Sequence, residues 1–112
     1  MSSMKHFISG EVIAKEGEKA NVFFVLVEGK VGIFKNGNKI TQFEKPGEIV
    51  GEMSLILKKP RSAEIKALAN SSVLIISGEL DEIIRMYPDI SKKLIKTLAE
   101  RLAKTTENIW SH

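Results

Sequence analysis

The chain has 112 residues, no cysteine and a formal charge of +3, with a sequence pI near 9.2. That length accommodates one domain with its own core and not two, and the absence of cysteine excludes a disulfide framework, a thiolate metal site and a cysteine nucleophile. The lysines are interleaved with acids along the whole sequence, which describes a solvated surface rather than the concentrated basic face of a nucleic-acid binder.

From Phe7 to Ser77 the pattern is one of short β-rich runs separated by turn residues. Val22–Val27 is apolar on both alternating faces and predicts a strand covered on both sides. Glu28-Gly29 turns the chain into Lys30–Lys35, where Val31 and Ile33 share a face. Asn36-Gly37-Asn38 is a hairpin signal, because asparagine and glycine tolerate positive φ. Ile40–Phe43 returns and Pro46-Gly47 turns again. Ala63–Ala67 and Ser72–Ser77 predict two further strands around an Asn70-Ser71 turn. Many short strands with frequent turns indicate a small barrel or sandwich.

After residue 77 the period changes. Glu79–Tyr87 predicts a short helix halted by Pro88, and Asp89 is placed to cap the next one. Leu94, Leu98 and Leu102 recur every four positions, with Ile95 and Ala99 beside them, so a helix with an apolar face is expected from about Ile90 to Trp110. A helix of that length extends ~30 Å, more than a small barrel needs, so part of it is available to meet a second copy. The expected layout is one domain over residues 1–112, with a β-roll at about 7–77 and C-terminal helices at about 79–110.

The segment Gly51–Ala63 stands apart. Glu52 follows a glycine and Arg61 comes nine positions later, both in largely apolar surroundings. Gly51 lets backbone approach a ligand closely, and a short helix from Glu52 to Ile56 would point its free N–H groups at the same place. Arg61 carries a planar fork of donors suited to two phosphate oxygens, and Ser62 adds a hydroxyl. Ionised Glu52 only accepts hydrogen bonds, so its natural partner is a hydroxyl pair. A site that wants an anion beside hydroxyls describes a ribose phosphate. The competing explanation is a Glu52–Arg61 salt bridge that ties the loop, and the side-chain chemistry leaves both open.

Gly51-Glu52, a short apolar helix and then Pro60-Arg61-Ser62-Ala63 resembles the phosphate-binding cassette of cyclic nucleotide-binding domains. The approach Pro46-Gly47-Glu48-Ile49-Val50 and the strand-turn-strand Val25–Val31 are similar to that family as well, and the likeness runs from about Phe7 to Trp110. It implies a mainly β fold with α, a jelly-roll-like β-roll (a double-stranded β-helix) with a short cassette helix and C-terminal lid or dimerisation helices. It implies that Glu52 holds the ribose 2′-OH, that Arg61 and Ser62 hold the cyclic phosphate, that backbone at Gly51, Met53 and Ser54 lines the sugar-phosphate, and that Ala63 belongs to the same ligand site. The likeness is greater to the nucleotide-binding domain of bacterial catabolite-activator-type regulators, whose dimer-forming helix resembles Pro88–Thr106. Thr105 and Thr106 fall where that group carries a hydroxyl pair that meets adenine, which favours cyclic AMP over cyclic GMP and a homodimer. Two departures stand out. The approach Phe43-Glu44-Lys45-Pro46 is one residue longer, and the sequence ends at His112, so the winged DNA-binding domain of those regulators is not expected.

Other chemistries find little support. His6 and His112 stand at opposite ends with none between them, against the converging histidines of a metal-binding cupin and against haem or iron–sulfur sensing. No Ser/His/Asp set can be assembled, so no catalysis and no cofactor are expected. No apolar run approaches the ~18 residues of a membrane span, and the first six residues lack the apolar stretch of a signal peptide. The expectation is a cytoplasmic, non-catalytic, stand-alone module that binds a cyclic nucleotide and moves its C-terminal helix, with an unidentified downstream protein as its partner and neither nucleic acid nor membrane. The rival is a ligand-independent scaffold or dimerisation module of the same fold. Trp110 is expected to pack or to lie at a dimer seam.

Overall fold

A computed structural model describes residues 2–19 and 21–110, with side chains described through residue 106. Trp110 and His112, singled out in the sequence, therefore lie outside the described side chains. The chain divides into two compact units at Leu80/Asp81.

The first unit holds eight strands and one short helix: β1 (Ser2–Phe7), β2 (Val12–Ala14), β3 (Val22–Glu28), β4 (Val31–Lys35), β5 (Asn38–Phe43), β6 (Ile49–Val50), α1 (Glu52–Leu57), β7 (Glu64–Ala67) and β8 (Ser71–Ser77). They form two antiparallel four-stranded sheets, ordered β1-β8-β3-β6 and β2-β7-β4-β5. Strands from the start and end of the unit are thus neighbours in both sheets, the wrapping of a jelly-roll-like β-roll. Phe24 and Leu26 of β3, Val31 of β4, Val50 of β6, Ile65 and Ala67 of β7 and Val73 of β8 meet Phe7 and Ala14 in one core. Alternation explains the set, because every second side chain of a strand faces the same way. Full burial of side chains such as Leu26, Val31 and Val73 contributes roughly 1.5–3 kcal/mol each.

Several boundaries differ from the sequence expectation. The roll begins at Ser2 rather than about Phe7, because β1 pairs along its length with β8, from Ser2↔Ile76 to Phe7↔Ser71. Its Ser2–His6 stretch is exposed, so no hydrophobic pattern marked it. In that register His6 Nδ1 and the Ser72 hydroxyl share a 2.6 Å hydrogen bond, a partner the sequence did not suggest. The three-residue β2, with its irregular register against β7, and the two-residue β6 are too short to carry a periodic signal. β5 starts at Asn38, directly after a two-residue turn with Asn36 at φ 52.

Ser71 is no turn residue. It opens β8 and is buried, and its hydroxyl accepts from Lys30 N–H (3.0 Å) while donating to Ala69 O (2.8 Å). A Cβ on Gly29 would collide with that hydroxyl and lie 2.6 Å from Asn70 O. Only glycine at 29 lets the β3–β4 turn sit against Ser71.

The second unit holds α2 (Leu80–Met86) and α3 (Pro88–Trp110). α3 starts at Pro88, so Asp89 lies inside the first turn rather than capping it. Proline is well placed there, since a first-turn N–H has no intrahelical acceptor. The Tyr87 N–H bonds Ile83 O (2.8 Å), and the buried Ser91 hydroxyl donates to Tyr87 O (2.9 Å). On the expected apolar face Leu94 is buried, whereas Ile95 and Leu102 are 67% and 69% exposed. No helix among the described residues is long and apolar enough to cross a membrane.

Candidate functional site

The Gly51–Ala63 segment runs from the end of β6, through α1, to the start of β7. β6 pairs with β3 through Phe24↔Val50 and Val25↔Ile49, so the core fixes where the segment begins. The approach to β6 closes on itself at Lys45–Glu48. Glu48 N–H bonds Lys45 O (3.2 Å), Lys45 N–H bonds the Glu48 carboxylate (3.1 Å), and Gly47 N–H bonds Leu26 O (2.6 Å).

Gly51 caps α1 in the left-handed region, at φ 80 and ψ 15. A Cβ there would lie 2.7 Å from Arg61 Nη1 and 3.3 Å from Ile65 Cδ1. The left-handed backbone favours glycine, and a side chain there would also have to displace Arg61. Glu52 opens the first turn of α1, where a carboxylate complements the unpaired N–H groups. At the far end Lys58 takes the left-handed conformation and its N–H returns to Leu55 O, which stops the helix after six residues.

Arg61 folds back over this turn. Its Nη2 donates to Val22 O (2.9 Å) and its Nη1 to Gly51 O (3.3 Å), with the guanidinium 5.2 Å from the Phe24 ring centre. Burial pushes the Arg61 pKa down, and the carboxylate of Glu18 opposes that shift. An arginine stays protonated regardless, so the segment holds a buried cation. Among the described residues Glu52 and Arg61 are the buried charged side chains, at 3% and 5% exposure. The four surface ion pairs do not include Arg61. The two carbonyls that accept from it carry no net charge, and the carboxylate of Glu18 acts on it through space.

The other residues singled out in this segment are less enclosed. Met53 and Ser62 are exposed, and Ser54 and Ala63 are half-buried. Thr105 and Thr106 belong to α3 in the second unit, where their hydroxyls donate to Arg101 O (3.0 Å) and Leu102 O (2.9 Å) of the same helix. The first unit therefore brings Gly51, Glu52, Met53, Ser54, Arg61, Ser62 and Ala63 together on one connection.

The sequence did not reveal what holds the end of that connection. Gly17 N–H bonds Arg61 O and Arg61 N–H bonds Glu18 O, both at 2.8 Å. Lys35 Nζ donates to Ser62 O at 2.7 Å. No spacing signal links positions 17, 18 or 35 to 61 and 62, since the first two contacts run wholly between backbone atoms and the third ends on a backbone carbonyl.

The sequence matches the family described as Cyclic nucleotide-binding domain over residues 4–86. The chain belongs to that family. The domain is 30% identical over 98 residues to the Pycsar effector protein XpPycTIR of Xanthomonas perforans, covering 86% of this chain and 32% of the relative. It is 39% identical over 67 residues to a cGMP-dependent protein kinase of Plasmodium berghei, covering 60% of this chain and 8% of the kinase. The domain thus spans about a third or less of the length of these relatives. Among solved structures, the Catabolite Activator Protein of Thermus thermophilus superposes with a TM-score of 0.81 at 25% identity, covering 96% of this chain and 53% of that one. A cAMP-bound PfPKA-R gives a TM-score of 0.73 at 29% identity, covering 98% and 37%. The jelly-roll-like β-roll with a short helix between β6 and β7 is therefore the family's fold, and the domain resembles the nucleotide-binding part of catabolite-activator proteins.

Proposed function

We propose that residues 1–112 act as one regulatory module that binds a cyclic nucleotide, cyclic AMP in preference to cyclic GMP, and that catalyses nothing. The observation that carries this reading is the pair of opposite charges buried on one connection, the Glu52 carboxylate and the Arg61 guanidinium. Folding alone gives little reason to keep them there, because desolvating charges costs more than such contacts commonly return. A cyclic phosphodiester carries one negative charge and sits beside a ribose 2′-OH. Arg61 with the Ser62 hydroxyl takes the phosphate, Glu52 accepts from the 2′-OH, and backbone at Gly51, Met53, Ser54 and Ala63 lines the sugar-phosphate. Thr105 or Thr106 would accept a hydrogen bond from the adenine amino group, which a hydroxyl can do while still donating within α3, and this is the basis of the preference for cyclic AMP.

Signalling in this proposal is a population shift of the C-terminal helix, set by the difference in ligand affinity between two helix positions. The exposed Ile95 and Leu102 supply an apolar stripe for a homodimer, and a further protein receives the output. Calorimetric titration with cyclic AMP and with cyclic GMP tests the ligand directly. Binding of either supports the proposal, tighter binding of cyclic AMP supports the preference, and no heat from either at high micromolar concentration rejects it.

One observation favours the ligand-independent scaffold. Arg61 already has two carbonyl acceptors, Gly51 O and Val22 O, as a structural arginine would. Arg61→Leu separates the two readings. A ligand role predicts a loss of about 2–4 kcal/mol in binding, on the order of 30- to 1000-fold, with a small change in the melting temperature of the free protein. A scaffold role predicts that the free protein itself loses stability.

A further inference from the structure

Three stretches distant in sequence converge where the cassette enters β7. The connection after β2 contributes Gly17 and Glu18, which exchange backbone hydrogen bonds with both sides of Arg61 at 2.8 Å. The end of β4 contributes Lys35, whose Nζ reaches Ser62 O at 2.7 Å. Glu16 joins the two, with Oε2 3.5 Å from Lys35 Nζ and Oε1 3.5 Å from Asn36 N. Arg61 N, Arg61 O and Ser62 O belong to one short run of backbone, and each is held from outside the segment.

The Lys35 contact differs from the others in being charged. Its 2.7 Å length is that of a charge-assisted bond, shorter than the 3.5 Å approach to the half-exposed Glu16, a kind of pair that contributes little. The peptide unit is planar and trans, so its C=O and N–H point in opposite directions. Drawing the Ser62 carbonyl toward Lys35 therefore turns the Ala63 N–H away from the hairpin tip.

We propose that Lys35 is a positioning residue for the anion site: it fixes the Ser62–Ala63 peptide so that its N–H, and not its carbonyl, is offered to the ligand's phosphate. This inference rests on the cyclic nucleotide reading above. Lys35 acts through Ser62 and need not touch the ligand, and Glu16 serves only to keep its ammonium over the carbonyl.

The test titrates cyclic AMP into the wild-type chain, Lys35→Ala and Lys35→Arg, with melting curves of each unliganded protein. Losing one charged hydrogen bond at a half-exposed site should weaken binding roughly tenfold in Lys35→Ala, with arginine, which can donate to the same carbonyl, restoring affinity to within about threefold. The free proteins should melt within about two degrees of one another. Unchanged affinity in Lys35→Ala, or a Lys35→Arg as weak as the alanine variant, overturns the proposal. If Lys35→Ala also lowers the melting temperature, the Ala63 amide resonance of the free proteins decides. Displacement in the alanine variant and restoration by arginine support positioning, and an unmoved resonance overturns it. A wild-type chain that binds neither cyclic AMP nor cyclic GMP overturns both this proposal and the function it rests on, whereas wild-type binding with indifferent Lys35 variants overturns this proposal alone.

Discussion

Two demands meet at position 51. The backbone there is left-handed, and the space above it is filled by the Arg61 guanidinium. Alanine at 51 would meet a conformational cost of about 1–2 kcal/mol and a contact at 2.7 Å with Nη1. Gly51→Ala should lower the free energy of unfolding by about 2 kcal/mol and displace Arg61, so that chemical denaturation and ligand titration both register it. A variant equal to wild type in both would show that the turn adapts freely. Ser71 makes a parallel case without any ligand. Its buried hydroxyl receives the Lys30 N–H, and Ser71→Ala leaves that donor unsatisfied beside the tight Gly29 turn. The expected loss is about 1–3 kcal/mol with cyclic nucleotide affinity unaltered, measured by urea unfolding of free and liganded protein.

Among the elements, those with strong periodicity or strong turn chemistry were legible. β3 announced itself by unbroken apolarity, the β4–β5 hairpin by Asn36-Gly37, and the long helix by leucines four apart. β1 escaped because an exposed strand between polar residues leaves no pattern, and its partner β8 lies some seventy residues away. Ser71 was misplaced because a buried serine and a turn serine look alike until the acceptors around them are known. In the Gly51–Ala63 segment, spacing drew attention to Gly51, Glu52 and Arg61, of which the two charged residues are buried and Gly51 is left-handed, whereas the Val22, Gly17 and Glu18 contacts are made by backbone and leave no trace in residue type. The α3 element carries its own prediction. Ile95 and Leu102 lie seven positions apart, two turns along one exposed face. If that face is the dimer seam, Ile95→Lys with Leu102→Lys should give a monomer by sedimentation velocity, with the roll's melting temperature little changed. A dimer that survives both substitutions places the seam elsewhere.

At the scale of the whole molecule, the division at Leu80/Asp81 separates a unit held by sheet pairing from one held by helical hydrogen bonds. A ligand that binds only the folded chain adds about 2.7 kcal/mol at a hundredfold excess over its Kd. Cyclic AMP should therefore raise the melting temperature by several degrees, and Arg61→Leu should abolish the rise. If helix movement carries the signal, amide exchange over residues 81–106 should slow on ligand addition together with that of the cassette; slowing confined to the cassette would reject helix signalling while leaving binding intact. The way Arg61 is held has a consequence for how such a domain can change over generations. Its guanidinium is steadied by the carbonyls of Val22 and Gly51 and its main chain by Gly17 and Glu18; the carbonyls of residues 18 and 22 persist whatever side chains stand there, whereas Gly17, at φ 87, holds a backbone that other residues rarely adopt. Side chains at 18 and 22 can therefore be exchanged without removing the carbonyls that hold Arg61, while an exchange at Gly17 would strain the backbone that holds it.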